Sequence, residues 1–175
     1  CIVAATLRIF STSKAGLFTV ASSAKEERFD KDNEIRRTDE KPKPLVIRVY
    51  EDGIDCTILD LQREIKLGSG SRYHLINVGW LENCHIKSLL CLAIKIGGNP
   101  IGTLTLYAGQ KQVIAAKDRM YYKAIADNLS LFLASSFSHE PDVEAAIDKF
   151  LDTFLRPPQS SRLMYPSRDH MDLRE

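Results

Sequence analysis

Apolar and polar positions are most regularly ordered in residues 88–137. Residues 88–96, SLLCLAIKI, are almost wholly apolar and β-friendly, Gly97-Gly98-Asn99-Pro100 is a turn signal, and residues 101–108, IGTLTLYA, resume an alternating pattern. Two strands joined this closely pair antiparallel. After Gln110 the period changes from two to about 3.6, with Tyr121, Ala124, Ile125, Leu129 and Phe132 recurring on one face and Lys117, Asp118, Lys123 and Asp127 elsewhere. This predicts a long amphipathic helix whose apolar face covers the sheet.

The N-terminal residues 1–23 read as a second hairpin: apolar residues 2–10, a loop through Ser11 to Gly16, and a returning strand from Leu17 to Ser22. Residues 25–43 then change character, with seven basic and seven acidic residues around Phe29 and Ile35, and predict a solvated insertion or a lid. Pro42 and Pro44 bias their neighbours toward extended structure. In residues 45–66 the pattern predicts a short strand through Val46 to Tyr50 and a helix from about Cys56 to Lys66, with Asp55 or Asp60 near its first turn. Gly68-Ser69-Gly70-Ser71 ends that helix, and Tyr73 to Val78 reads as another short strand. Beyond residue 137, a stripe of Val143, Ala146, Ile147, Phe150, Leu151 and Phe154 predicts a second amphipathic helix over 141–155, started by Pro141 and ended by Pro157-Pro158.

The elements add up to an α+β fold, a central antiparallel sheet of five or six strands flanked by helices. The expected organisation is one domain over 1–137 with its charged insertion at 25–43, an additional helix within 138–158, and a flexible tail or linker over 159–175. At 175 residues with 44% hydrophobic content, the chain is long enough for one full core. A net charge of +1 gives no electrostatic reason to expect nucleic acid or an acidic membrane as partner. No apolar run approaches the roughly 20 residues that span a bilayer. The chain opens at Cys1 inside a strand-like run, which reads as a piece of a longer polypeptide. Cys1, Cys56, Cys84 and Cys91 are widely scattered, without zinc or C-x-x-C spacing, and read as reduced thiols of a cytoplasmic protein with no metal site.

The order S-L-L-x-x-x-I, a Gly-rich turn, I-G-T-L-T-L-Y and an Asp-initiated helix resembles the C-terminal half of a GAF domain, best over residues 73–137. The second strand matches the family through Ile101, Gly102, Leu104 and Leu106, while Ala93 stands where the family often has Pro. The resemblance implies a small-molecule-sensing scaffold whose pocket lies between sheet and loops, and an opening pair of strands like residues 1–23. The family's helix ahead of the first strand is missing here, and the helix over 141–155 is expected to pack on its own sheet, on a partner or in the vacated position.

Arg72, Tyr73, His74, Asn77, Trp80, Asn83 and His85 cluster ahead of the core strands and would supply hydrogen-bonding groups and an indole to such a pocket, although Tyr73 and Trp80 equally suit a packed core. The family's extended segment here often ends in Asp, and this chain has Asn77. Bilin-binding relatives carry a Cys-His pair on a helix about a dozen residues before the apolar strand, whereas Cys84-His85 runs almost directly into it. Free-methionine sulfoxide reductases use clustered cysteines, and here Cys84 and Cys91 are the nearest pair. The cyclic-nucleotide signature N-K-x-F-x-x-x-D-E is represented after Ala108 by Lys111 and Asp118 alone. The expectation is therefore a non-catalytic sensory or regulatory module of a larger signalling protein, its cofactor unidentified. It would act with a small-molecule ligand and with a homodimer partner or a neighbouring domain, contacted through Phe150, Leu151 and Phe154. A ligand-free dimerisation or docking scaffold is the alternative, ahead of a bilin photosensor or a thiol reductase.

Overall fold

Strand-forming segments with one or both faces apolar must be covered, and the chain covers both sides of a single sheet. The computed structural model describes residues 2–23, 34–37, 42–111 and 116–155. Among these residues the strands are β1 (Ile2–Ser11), β2 (Gly16–Ser22), β3 (Glu34–Arg36), β4 (Cys56–Ile58), β5 (Ser88–Ile96) and β6 (Asn99–Ala108). They form a six-stranded sheet of order β3-β2-β1-β6-β5-β4, every neighbouring pair antiparallel. The helices are α1 (Leu45–Asp52), α2 (Leu61–Leu67), α3 (Val78–Asn83), α4 (Ala116–Phe137) and α5 (Val143–Leu155). This is the α+β architecture expected from the patterning, with both hairpins as read.

Alternation along the strands splits the interior into two cores. Ala4, Phe10, Leu17, Leu89, Cys91, Ala93 and Tyr107 face one side with Leu45, Val46, Ile47 and Val49 of α1, Leu61 of α2 and Leu81 of α3. Ile9, Phe18, Leu90, Leu92, Leu104 and Leu106 face the other side with Ala126 of α4 and Ile147 and Leu151 of α5. The central strands approach closely at Gly102, where an added Cβ would overlap the carbonyl oxygen of Arg8. That packing explains the glycine of the I-G-T-L motif.

Three local expectations are corrected. Residues 45–52 form a helix and not a strand: the Leu45 amide donates to the His74 carbonyl at 2.9 Å, and Gly53 closes the helix in the left-handed conformation at φ 62°. Burial of four apolar side chains in α1 overrides the β-propensity of its Val and Ile residues. Residues 56–58 are a strand paired with β5, so the next helix begins only at Leu61, where the Asp60 carboxylate accepts from the Arg63 amide at 3.2 Å. Tyr73 to Val78 is not a strand, since His74 makes only an isolated bridge to Pro44 and Val78 opens α3.

The long helix α4 forms as expected but turns a different face inward. Ala126 is fully buried, with Tyr122, Leu129, Leu133 and Phe137 packed against the core, whereas Tyr121 and Phe132 are 66% and 67% exposed. The helix is apolar on more than one side, and small Ala126 allows the closest approach to the sheet. The charged insertion is likewise corrected in part: Glu34 to Arg36 add an edge strand to β2 and bury Ile35, while residues 25–33 and 38–41 lie outside the described residues. The proposed tail over 159–175 also lies outside them.

Helix α5 packs on its own sheet. Leu151 is completely buried, and Glu144, Asp148 and Asp152 recur every fourth residue to meet the β1–β2 turn. Asp148 accepts from the Ser11 hydroxyl at 2.7 Å and the Ser13 amide at 2.9 Å. Burial works against its charge, yet hydrogen bonds from Ser11 and Ser13 outweigh it and hold the carboxyl below its ordinary pKa. Phe150 is 38% exposed and meets Phe137 edge-on, with ring centroids 6.2 Å apart.

Two substitutions test this packing by urea denaturation. Leu151→Ala is expected to cost about 2–5 kcal/mol, because α5 is part of the core and relaxes only partly around the cavity. Gly102→Ala is expected to cost about 1–3 kcal/mol or more by forcing β1 from β6. An unchanged midpoint in either variant contradicts the corresponding contact.

Candidate functional site

The side of the sheet under α1 contains polar side chains where the strand pattern calls for apolar ones. Thr6 and Arg8 share the parity of Ala4 and Phe10, and register places them directly beside Thr105 and Thr103 of β6. Cys91 of β5 stands opposite Thr105, and Thr19 of β2 stands opposite Arg8. Two polar rows therefore cross the sheet, Thr19–Arg8–Thr103 and Thr6–Thr105–Cys91–Cys56. Directly opposed residues have their Cβ atoms about 4.5–5.5 Å apart, so each row is continuous. Arg8 is 1% exposed, and Thr6, Thr19, Cys91, Thr103 and Thr105 are buried with it.

Thr6, Thr105 and Cys91 of the second row have partners, whereas most polar atoms of the first row do not. Arg8 Nη1 donates to Thr6 Oγ1 at 2.8 Å, and Thr105 Oγ1 donates to Cys91 Sγ at 3.4 Å. Arg8 Nε, Thr19 Oγ1 and Thr103 Oγ1 are buried without a hydrogen-bond partner among the described residues. No ion pair among the described residues includes Arg8. Three unsatisfied polar atoms in one cross-strand row are a concentrated departure from the rule that buried polar groups find partners.

The thiols here are held in their neutral form. Burial pushes Cys91 up to about 12, against which the Thr105 hydrogen bond and the Arg8 charge work only partly. Burial also raises Cys56, against which the Tyr73 hydroxyl works only partly. Cys56, Cys84 and Cys91 form no disulfide, and the thiol that register places beside Cys91 is Cys56 and not Cys84. Nucleophilic thiol chemistry needs the thiolate, which this setting opposes. Among the described residues no three His, Cys, Asp or Glu side chains are placed to hold a metal ion.

The seven residues singled out by sequence are dispersed. Tyr73 is buried; the Arg72 guanidinium lies 4.6 Å from its ring centroid and donates to its hydroxyl. His74 is exposed, and its Nδ1 lies 2.5 Å from the Pro42 carbonyl oxygen. Tyr73 and His74 line a cleft of about 310 Å³ with Glu64, Ser71 and Leu75. Half-buried Asn77 opens α3 in the left-handed conformation, and Trp80 meets Tyr107 edge-on at 5.1 Å. Asn83 and His85 are exposed at the end of α3. The polar rows were missed because residues 2–10 read as uniformly apolar. The available signal was one Arg at the centre of that run, in phase with Thr6, and a Thr-x-Thr alternation in the I-G-T-L-T-L strand.

No protein-family model matches the chain, and no curated protein matches it. Solved structures do match. The GAF domain of a phosphoenolpyruvate-protein phosphotransferase from Coxiella burnetii superposes with a TM-score of 0.59 at 14% identity, over 77% of this chain and 73% of that one. The GAF domain of a two-component sensor histidine kinase from Bacillus halodurans gives 0.55 at 12% identity, over 86% of each chain. A type II free methionine-R-sulfoxide reductase from Thermoplasma acidophilum gives 0.55 at 15% identity, over 74% and 76%. At these identities the likeness is one of fold: the chain has the fold of GAF domains, which a sensor kinase, a phosphotransferase and a reductase share.

The buried thiol sets a pH response. An unfolded Cys91 ionises near its ordinary value of 9.0 and the folded one near 12, so between these values only the unfolded state releases the proton and stability falls. Urea melts are expected to show constant stability from this group below about pH 9 and declining stability above it, with a shallower decline in Cys91→Ala. An identical slope in that variant contradicts the assignment. Iodoacetamide is expected to leave Cys91 unmodified at neutral pH until the protein is unfolded.

Proposed function

We propose that this GAF scaffold is a non-catalytic sensory or regulatory module of a larger cytoplasmic signalling protein, holding a small molecule against the polar rows of its sheet. The observation that carries this reading is the unsatisfied Thr19–Arg8–Thr103 row within the core under α1. A structural core has no use for such a row, whereas a pocket places a few convergent polar groups among apolar walls. The protonated settings of Cys91 and Cys56 favour binding over a reductase mechanism.

The same strands that present the polar rows carry α4 and α5 on their other face, so occupancy on one side biases packing on the other. Helix α4 offers an outlet, because Met120, Tyr121, Leu131 and Phe132 leave an apolar stripe exposed on it. We assign this stripe to contact with a second copy or a neighbouring domain, the role the sequence pattern allots to Phe150, Leu151 and Phe154. Leu151 is occupied inside its own chain, Phe150 is half-covered by Phe137, and the Phe154 side chain lies outside the described residues. Among the described residues no helix is long and apolar enough to cross a membrane.

Native mass spectrometry of freshly purified protein tests the ligand, with an expected mass excess that disappears on denaturation. A bare polypeptide mass, together with no thermal shift from any small molecule tried, contradicts the reading and leaves the docking scaffold in its place. For the outlet, Tyr121→Glu with Phe132→Glu is expected to convert a dimer to a monomer in sedimentation while moving the urea midpoint little, as both side chains are largely exposed. A dimer that survives both changes places the contact elsewhere.

A further inference from the structure

The ligand's charge follows from Arg8, an inference that rests on the ligand-binding reading above. A guanidinium is protonated at any pH a protein experiences, so burial cannot neutralise it as it does Cys91. At 1% exposure Arg8 has one hydrogen bond among the described residues, to a neutral hydroxyl, and that bond brings no negative charge. The carboxylates on adjoining elements are already engaged. Glu51 of α1 takes Arg37 at 2.8 Å and Lys43 at 2.7 Å, while Asp55 accepts from the Ala93 amide at 2.9 Å and pairs with Lys123 at 3.7 Å. A buried cation without a counter-charge is a standing cost to the fold.

We propose that the site takes a small molecule bearing a carboxylate or phosphate group, whose oxyanion lies over Arg8 between Thr19 and Thr103. The planar fork of the guanidinium suits two parallel hydrogen bonds to such a group, and its Nε is unpartnered. Thr19 Oγ1 and Thr103 Oγ1 flank it in the same cross-strand row, each with a hydroxyl proton to donate to the remaining oxygen lone pairs. One bound oxyanion therefore satisfies all three orphaned groups and supplies the missing charge. A neutral ligand leaves the cation uncompensated, and a cationic one adds repulsion to it. Conversely, the unliganded protein is expected to gain stability when Arg8 is replaced by an unbranched apolar residue, because what the arginine does appears only with ligand present.

The test is thermal denaturation of the purified chain and of its Arg8→Met and Arg8→Lys variants at constant ionic strength. The probes are acetate, succinate and inorganic phosphate, compared with the matched neutral amides acetamide and succinamide. The expected result is a concentration-dependent rise in the wild-type midpoint with at least one anion and with neither amide, lost in Arg8→Met and weakened in Arg8→Lys. The midpoint of unliganded Arg8→Met is expected to equal or exceed that of the wild type. Amides that stabilise wild type and Arg8→Met alike overturn the anion assignment while leaving a ligand-binding module in place. A wild type that responds to neither class overturns both. A large loss of midpoint in unliganded Arg8→Met shows that Arg8 is paired within the chain and also overturns the assignment.

Discussion

The pairing of β1 with β6 is the constraint on which the other features depend. It joins residues 2–11 to residues 99–108, segments that are distant in sequence, and makes them the two central strands of the sheet. Each is covered on both faces, so every second residue enters one core and every other residue the second. The close approach at Gly102 ties this register to a single side-chain-free position against the Arg8 carbonyl. A slip of one residue would exchange the cores, sending Leu7 and Ile9 toward α1 and Arg8 toward α4 and α5.

The two faces made by that pairing are chemically unlike. The side under α4 and α5 is packed with Ile, Leu and Phe, and the polar seam of Glu144, Asp148 and Asp152 with the β1–β2 turn lies at its margin. The side under α1 combines apolar walls with Arg8, four threonines and two cysteines on the sheet. A core selected for stability alone would have filled those positions with aliphatic side chains, as its counterpart does. Local rules are broken where function demands it, and here the departures fall in adjacent cross-strand rows. The two surfaces share the backbone of the central strands, and under the proposed reading that sheet is the path between a bound molecule and the helices.

Much of the architecture was legible in local pattern. The hairpin over 88–108 was marked by two strand-like runs around Gly97-Gly98, the N-terminal hairpin by the break at Ser11 to Gly16, and α5 by its stripe of Ala146, Ile147 and Leu151. These signals are local because hairpin turns and amphipathic helices are specified by residues a few positions apart. The segment over 45–52 was misread because its first amide, that of Leu45, donates to the His74 carbonyl almost thirty residues away, and the helix buries side chains whose own preference is for strands. The inward face of α4 was misread for a related reason: more than one face is apolar, and the fit of Ala126 against the sheet chose among them.

The candidate site divides along the same line. The residues that sequence proximity gathered, from Arg72 to His85, are spread by the fold among a core tyrosine, a core-packed indole and exposed side chains, since neighbours around short helices and turns point in different directions. Arg8, Thr19 and Thr103 become one row only through strand register, and their missing partners are a property of burial, which no sequence window contains. Periodicity and turn chemistry, acting over a few residues, determined by themselves the two hairpins, the long helices and the α+β class. Which face each element buries, and the convergence of a cation and two hydroxyls at the centre of the sheet, was decided by tertiary structure, because both depend on contacts between segments that sequence separates.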